Sequence, residues 1–259
     1  ALKAEYLPLI GAALYYLTKF LNCKIIFSTA TRPFIFELAN SVLLNSSEKI
    51  LFSEIFSNHI IYFNKFNRTK LIPILEKDLD IDEFLELFSA KYTRNKSCLI
   101  VCNTINNSLK IFNKLEKEYG EKNVFYLSTN IIPLQKEKVL KEIKERLNDK
   151  ETPKPILVST QVIEAGVDLD FEMGFRELSP IDNIIQTAGR VNRNNLLPEI
   201  APIYIFNLGT CARAYGSIAQ FTSLSVLKNG IEIAEQDYLS TINNYFTILN
   251  EKKSFGASI

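Results

Sequence analysis

The sequence contains few of the residues that metal sites and disulfides require. Its 259 residues include one histidine, His59, and four cysteines. The cysteines stand in apolar segments without a CxxC pair, at Cys23, Cys98, Cys102 and Cys211. A structural zinc site needs about four clustered Cys or His ligands. We therefore expect no metal site and interpret the cysteines as buried, reduced thiols.

Long apolar runs and an excess of charge are also missing. The longest apolar stretch, residues 7–17, is interrupted by Pro8 and Gly11 and is shorter than the roughly 20 residues of a membrane span. No signal peptide is visible. Lys+Arg 30 and Asp+Glu 29 leave a net charge of +1, so any nucleic-acid contact has to use a local cluster of positive charge and backbone amides. We expect a soluble, cytoplasmic protein with no membrane partner.

The chain begins at Ala1, and its one methionine is Met173. Because no initiator methionine is present, we expect a piece of a longer polypeptide, with further functions encoded upstream.

Short β-rich apolar runs alternate with amphipathic helical patterns, which predicts an α/β fold with a parallel sheet and flanking helices. We expect four segments, at 1–45, 46–92, 93–210 and 211–259. The predicted strands of the main body are 97–102, 124–127, 155–159, 174–178 and 203–206, and its helices are 105–119, 133–147 and 181–191. The first segment, with helix 7–20, strand 24–27 and helix 33–44, is typical of the last βα unit of another domain. The second contains a possible strand 59–63 and an acidic helix 80–90, and the fourth contains helices 215–227 and 232–249.

The strongest chemical signal is the run QTAGRVNR at residues 186–193, on the helix predicted after strand GFREL. Arg190 and Arg193 are three residues apart, so on a helix both guanidinium groups can reach the same anion. A phosphoryl group is a natural target, because phosphoryl transfer depends mainly on positioning and charge stabilisation. Gly189 leaves room for a partner to approach closely. A solvated helix face with incidental arginines remains the alternative.

A second signal is the run STQVIEAGVDLDF, at the end of a predicted buried strand. Hydroxyl side chains at a strand end can bind nucleic-acid phosphates without reading the sequence, and Thr160 and Gln161 fit that role. Gly166 permits a tight backbone, and Asp168 can accept a hydrogen bond from a ribose hydroxyl. Taken alone, a pair of turn carboxylates is the simpler interpretation of Asp168 and Asp170.

These runs, together with STAT at residues 28–31, resemble motifs three, five and six of superfamily-two helicases, in the family's order. Gln161 and the phrase ELSPIDNIIQTAGRVNR are most similar to the CRISPR-associated type I helicase-nuclease. DEAD-box RNA helicases instead favour an acidic residue after the threonine and a histidine at the start of motif six. The resemblance covers about residues 25–195. It implies that 93–210 is the second RecA-like domain, that 1–45 ends the first, and that 46–92 connects the two.

The resemblance also implies roles for individual residues. Arg190 and Arg193 would act as arginine fingers on ATP bound in the first domain. The nucleotide-facing cleft would contain Gly166, Asp168, Gln186 and Gly189. The groove for single-stranded DNA would be lined by Asn103, Thr104, Ser128, Thr129, Thr160 and Gln161. The motif that couples hydrolysis to movement would be Ser28, Thr29, Ala30 and Thr31.

Two departures and two absences limit what the chain does alone. Thr187 replaces an arginine of many relatives, and LSTN lacks the His and Arg often found in motif four. The sequence has no GxxxxGK[ST] phosphate loop and no Asp-Glu pair in a motif-two context, so ATP and Mg²⁺ would be bound mainly by the missing first domain. We expect neither cofactor to be held by this chain alone. The implied partners are the first RecA-like domain, a nuclease domain, single-stranded DNA and a CRISPR RNA-guided surveillance complex.

Two other functions remain open. The chain could be a non-catalytic nucleic-acid-binding or regulatory module, or the equivalent domain of another superfamily-two helicase that acts on RNA or in DNA repair. A phosphate loop and an Asp-Glu motif encoded upstream of Ala1 would exclude the non-catalytic module.

Overall fold

A computed structural model describes residues 6–27, 34–42, 49–55, 61, 65–149, 151–164 and 167–251. Within these residues a seven-stranded sheet has the order β3-β4-β2-β5-β6-β1-β7. Its strands are β1 (Thr69–Pro73), β2 (Cys98–Val101), β3 (Val124–Leu127), β4 (Ile156–Ser159), β5 (Met173–Glu177), β6 (Ala201–Phe206) and β7 (Ile233–Ala234). Adjacent strands are parallel except for β7, which is antiparallel to β1. The α/β fold with a parallel sheet is confirmed.

Helices cover both faces of the sheet and extend from it at each end of the chain. They are α1 (Leu7–Leu21), α2 (Ile35–Val42), α3 (Ile81–Lys91), α4 (Ile105–Tyr119), α5 (Pro133–Asn148), α6 (Ile181–Ala188), α7 (Cys211–Tyr215), α8 (Ser217–Val226) and α9 (Tyr238–Glu251). In the described residues, none of these helices is long and apolar enough to cross a membrane.

Local sequence explains where several helices begin. Asp80 caps α3 by accepting a hydrogen bond from the backbone N–H of Glu83, and the Glu83 carboxylate accepts one from the backbone N–H of Asp80. Both bonds satisfy donors that a helix start would otherwise leave free. Thr104 caps α4 through its hydroxyl, and Pro133 begins α5 with a φ already suited to a helix. A polar cap therefore begins α3 and α4, and a proline begins α5.

The central strands are buried on both faces. Every residue of β2, β4 and β5 is buried, as expected for parallel strands covered by helices on either side. One apolar cluster contains Leu99 and Leu157 with α6 and α9, and the other contains Ile100 and Val158 with α3 and α4. The core therefore lies in two layers, one on each side of the sheet.

The predicted connection, residues 46–92, contributes directly to this sheet. β1 pairs with β6 along its whole length, and it was not predicted, because TKLIP is short and contains a lysine and a proline. The predicted helix 80–90 is confirmed as α3, where Phe84 is fully buried against Phe175 and Phe206. Strand and helix together place residues 69–91 in the same layered core as the predicted second domain.

The predicted strand at residues 24–27 is not formed, since residues 22–27 have no regular secondary structure. A strand needs a hydrogen-bonded neighbour, and Ile26 and Phe27 are instead exposed. The helix predicted at 215–227 is formed as α8, and Gly216, with a φ of 96°, separates it from α7, which was not predicted. Residues 233–237 form β7 and a 3-10 turn before α9 begins. The STAT motif, Gly166, His59 and the possible strand 59–63 lie wholly or largely outside the described residues.

Helix α2 and the residue before it, Phe34, pack onto the C-terminal helix α9. Leu38 of α2 is fully buried, the Phe34 ring stacks on Phe246 of α9 with centroids 5.6 Å apart, and the Ser41 hydroxyl donates to Asn250 at 3.3 Å. The outer face of α1 remains exposed, including Leu9 at 60% and Phe20 at 69%. The helix predicted at 7–20 is therefore formed and half covered by its own chain.

Three of the cysteines match their interpretation and one does not. Cys98, Cys102 and Cys211 are buried, and all four are free thiols in the described part of the chain. Burial raises the pKa of these three thiols, which keeps them protonated and unreactive. The prediction was wrong for Cys23, which is exposed just after α1, because the strand that would have buried it is not formed.

Phe84→Ala tests whether α3 belongs to the core of the domain. We expect the free energy of unfolding to fall by about 3–5 kcal/mol, because the substitution removes a fully buried ring and leaves a cavity. Chemical denaturation of the purified chain measures the change. Glu86→Ala, at an exposed position of the same helix, is the control and should leave stability nearly unchanged. Equal effects of the two substitutions would mean that α3 is a peripheral connection.

Candidate functional site

The residues predicted for the nucleic-acid groove lie along one edge of the sheet. They are Asn103 and Thr104 after β2, Ser128 and Thr129 after β3, and Thr160 and Gln161 after β4. The three strands are parallel neighbours in the order β3-β4-β2, so their carboxyl ends meet at the same edge. In open α/β sheets this edge is where ligands bind. The fold brings the predicted groove residues together.

Their side chains differ in how freely they can meet a ligand. Thr129 is exposed and Thr104 half-buried, whereas Asn103, Ser128 and Thr160 are buried. The Asn103 amide is used internally, because its Nδ2 donates to Leu178 O at 2.8 Å and its Oδ1 accepts from Arg176 at 2.7 Å. Asn103 therefore holds the edge in shape, while Thr104 and Thr129 present hydroxyl groups there.

Gln161 is also tied to the interior. Its Nε2 donates to Asn103 O at 3.0 Å and to the Tyr215 hydroxyl at 2.9 Å. The first bond joins the loops after β2 and β4, and the second joins both to α7. A ligand at this edge would meet loops that are already connected to each other.

A fully buried arginine on β5 organises this part of the molecule. The Arg176 guanidinium donates to Asn103 Oδ1, to Glu177 O at 2.8 Å, to Glu164 Oε1 at 3.0 Å and to the Tyr215 hydroxyl at 3.0 Å. Burial opposes its charge, but the surrounding oxygens raise its pKa overall. The cation is thus held by groups from four different segments.

Two acidic residues complete the buried polar network. The Glu164 carboxylate accepts from Arg176 and from Asn183 Nδ2 of α6, the latter at 2.6 Å. The Glu177 carboxylate accepts from Asn103 N at 2.8 Å and from the Thr210 hydroxyl. Burial raises the pKa of Glu177 despite these bonds to its charged form. The network spans the sheet edge, α6 and the start of α7.

The run QTAGRVNR does not lie wholly on a helix, contrary to the prediction. α6 ends at Ala188, and Gly189 caps it by donating to Ile185 O at 2.9 Å. Val191 then forms a parallel bridge with Phe171, which draws the backbone away from the helical path. Glycine has a low helix propensity, so the bridge outweighs continuation of the helix. Arg190 and Arg193 consequently lie on the loop after α6.

The two arginines nevertheless come close to each other. Arg190 donates to Ile163 O at 3.2 Å and Glu164 O at 2.8 Å, and its pKa is lowered first by burial and then by the charge of Arg193. The Arg193 Nε lies 3.4 Å from an oxygen of Asp168, and both side chains are substantially exposed. The loop after α6 and the segment before β5 therefore present two guanidinium groups and a carboxylate on one surface.

The remaining residues that were predicted to contact the nucleotide lie beside these arginines or outside the described part of the chain. Gln186 is half-buried on the last turn of α6. A Cβ on Gly189 would meet, among described residues, only Gln186 O at 3.4 Å and Ile185 O at 3.7 Å, which are ordinary contacts. The fold itself leaves room for a side chain at that position. Gly166 and the predicted coupling residues 28–31 fall outside the described residues.

The sequence reasoning missed the residues that hold the site in shape. Arg176, Glu164 and Tyr215 were not singled out, although two adjacent charged residues in the buried strand GFREL were a visible signal, since an arginine is almost never buried without partners. Glu164 and Tyr215 carried no comparable signal, because their partner is distant in sequence. Asp170 acts as the turn carboxylate that its simpler interpretation predicts, because it accepts hydrogen bonds from the backbone N–H groups of Arg193 and Asn194.

Comparison with known proteins is consistent with this geometry. Residues 94–196 match the family described as CRISPR-associated nuclease/helicase Cas3, C-terminal. The Streptococcus thermophilus CRISPR-associated nuclease/helicase Cas3 is 26% identical over 153 residues, which is 57% of this chain and 15% of that protein. The chain thus spans only a small part of the curated relative, and residues 94–196 are similar to the C-terminal part of that family.

Solved structures give the same fold. The T. fusca Cas3-AMPPNP structure superposes with a TM-score of 0.61 at 14% identity, covering 74% of this chain and 26% of that one. A chain of a CRISPR RNA-guided surveillance complex, pre-nicking, gives a TM-score of 0.61 at 15% identity and covers 75% of this chain and 27% of its own. At these identities the likeness concerns the fold, which is RecA-like.

Arg176→Met tests the role of the buried cation. We expect the free energy of unfolding to fall by about 3–5 kcal/mol, because Glu164 would keep a buried charge without its partner. The double variant with Glu164→Leu should recover much of the loss, since it removes both charges. Denaturant titration measures both, with the exposed ion-pair variant Lys114→Met as the control. A single variant as stable as this control would show that the network does not hold the fold.

Proposed function

We propose that this chain supplies the second motor domain of an ATP-dependent helicase that translocates on single-stranded DNA in CRISPR type I interference, where foreign DNA is unwound and degraded. One observation carries the proposal. Arg193 and Asp168 form an exposed pair beside the half-buried Arg190, and a separate edge of the same sheet contains threonine hydroxyls and the start of a helix. A motor needs both surfaces, one for the nucleotide and one for the strand.

In this proposal Arg190 and Arg193 act on ATP held by another domain. The negative charge that develops during phosphoryl transfer is spread over oxygens that guanidinium groups bind well. Arg193 is the more exposed of the two, and its guanidinium pairs with the exposed carboxylate of Asp168, so it can turn toward an incoming phosphate. Gln186, Gly189, Gly166 and Asp168 would surround the nucleotide, while ATP and Mg²⁺ are bound mainly by the first domain.

The edge formed by β3, β4 and β2 would contact the DNA backbone. Thr104 lies at the N-terminus of the 15-residue helix α4, where backbone N–H groups and the helix dipole favour phosphate oxygens. Thr129 and Thr160 lie at the ends of the neighbouring strands. Contacts of this kind position a strand without reading its bases, which suits a protein that moves along DNA.

The proposed partners follow from the same assignment. They are a first RecA-like domain with a phosphate loop, a nuclease domain, and the CRISPR RNA-guided surveillance complex that delivers the DNA. The neighbouring fold within such a complex and the nuclease/helicase relative support this context.

Arg193→Ala tests the arginine finger. With this chain joined to, or mixed with, a first motor domain, we expect the turnover number for ATP to fall by a factor of about 10³, while affinity for single-stranded DNA stays nearly unchanged. DNA-stimulated phosphate release and fluorescence anisotropy measure the two quantities. Arg94→Ala, at an exposed arginine before β2, is the matched control. An equal loss of DNA affinity would instead assign Arg193 to the DNA-binding surface.

The chain by itself should hydrolyse no ATP above background, because its arginines have no bound nucleotide to act on. Adding a separately produced first motor domain should restore DNA-stimulated hydrolysis. Turnover by the purified chain alone, persisting after Arg193→Ala and after repeated purification, would contradict the proposal.

A further inference from the structure

We propose that Arg68 and Glu235 are positioning residues that fix the backbone of Arg193 and thereby link the C-terminal segment to the ATPase site. This inference rests on the proposed role of Arg193. Neither residue belongs to the motifs, and they lie 167 positions apart in the sequence.

The backbone of Arg193 is held from two sides. Its N–H donates to the Asp170 carboxylate at 2.7 Å, and the N–H of Asn194 donates to the same carboxylate at 3.0 Å. On the other side, Arg68 Nη1 donates to the carbonyl oxygen of Arg193 at 2.9 Å. The peptide groups on either side of the Arg193 Cα are therefore fixed, while the side chain itself stays substantially exposed.

Arg68 is in turn held by a buried carboxylate. Glu235 is 5% exposed, and its Oε1 accepts from Arg68 Nε at 3.0 Å and also from Nη2. Its Oε2 accepts from the backbone N–H of Arg68 at 2.6 Å. Forked, charge-assisted bonds of this kind combine strength with a defined orientation. The Phe66 ring, 4.7 Å from the guanidinium carbon, lies against the same group.

The geometry requires an arginine. One edge of the guanidinium binds Glu235 and the remaining nitrogen reaches the Arg193 carbonyl, which uses the planar fork of donors that lysine lacks. Asn192 adds a further bond by donating to the Arg68 carbonyl at 3.0 Å. The arginine before β1 thus connects the loop after α6 to the turn before α9.

A small displacement of Glu235 would therefore move Arg68, and with it the backbone of Arg193. Misplacing a catalytic group by about 1 Å can slow a reaction on the order of 100-fold. Glu235 directly follows β7, the antiparallel strand at the edge of the sheet, and begins the turn into α9. Displacement of this C-terminal segment would release Arg68 and with it the fixed orientation of the finger.

Arg68→Lys is the principal test, made in this chain together with its first motor domain. We expect the turnover number for ATP to fall between about 10- and 100-fold, with KM for ATP and DNA affinity within about twofold, because binding groups are untouched. Glu235→Gln should act in the same direction. Lys70→Met is the control, since Lys70 pairs with Glu232 on the surface at 2.8 Å, two residues further along the chain and away from the loop.

Hydrogen exchange on the same variants gives a readout independent of activity. Arg68→Lys should speed exchange of the Arg193 and Asn194 amides, with the melting temperature close to that of Lys70→Met. A turnover number and loop exchange equal to those of Lys70→Met would overturn the inference even where Arg193→Ala slows hydrolysis. If Arg193→Ala has no effect, the proposed finger fails, and with it the catalytic part of this inference; faster loop exchange would then still assign Arg68 to holding the loop.

Discussion

The positive charge of Arg176 inside the sheet is the constraint around which the candidate site is built. A guanidinium cannot be left unpaired at full burial, because the cost of removing it from water is several kcal/mol unless partners replace the lost hydration. The partners come from the loop after β2, the turn after β4, β5 itself and the end of α7. The hydrogen bonds to this one cation therefore fix four segments relative to each other. The segments after β2 and β4 carry residues predicted to contact DNA, and Glu164 also binds Arg190 through its carbonyl oxygen.

The central strands of the sheet were predicted from the sequence more accurately than the segments around them. β2 to β5 were located to within about a residue, because strands buried on both faces appear as uninterrupted apolar runs bounded by turns. β1 was not predicted, because Lys70 and Pro73 interrupt its apolar pattern. Residues 24–27 have a similar apolar pattern but form no strand, which shows that pairing with a neighbour, rather than composition, decides the outcome.

The functional residues show the same contrast between features that the local sequence determines and features that contacts with distant segments determine. Arg190 and Arg193 were recognised from their spacing, but the helix that was to carry them ends early, because the bridge between Val191 and Phe171 depends on a segment twenty residues away. The partners Glu164, Tyr215 and Glu235 could not be predicted from periodicity, since each contact is made across the fold. The local sequence therefore indicates which residue types a site contains, whereas contacts with distant segments determine how those residues are oriented.

Glu164 connects the two surfaces of the proposed motor. Its carboxylate binds Arg176 and Asn183, while its carbonyl oxygen accepts from Arg190. A buried network in which the cation, the acids and the amides bond one another resists partial rearrangement, because every broken bond would leave a polar group in an apolar interior. In the proposed motor, the domain would therefore move as one body against a first domain when DNA or nucleotide binds, by the hinge or shear motion that packed cores permit. The Arg68–Glu235 contact lies outside that network, so in the proposed motor the loop that carries Arg193 could be adjusted there without breaking the hydrogen bonds of Arg176.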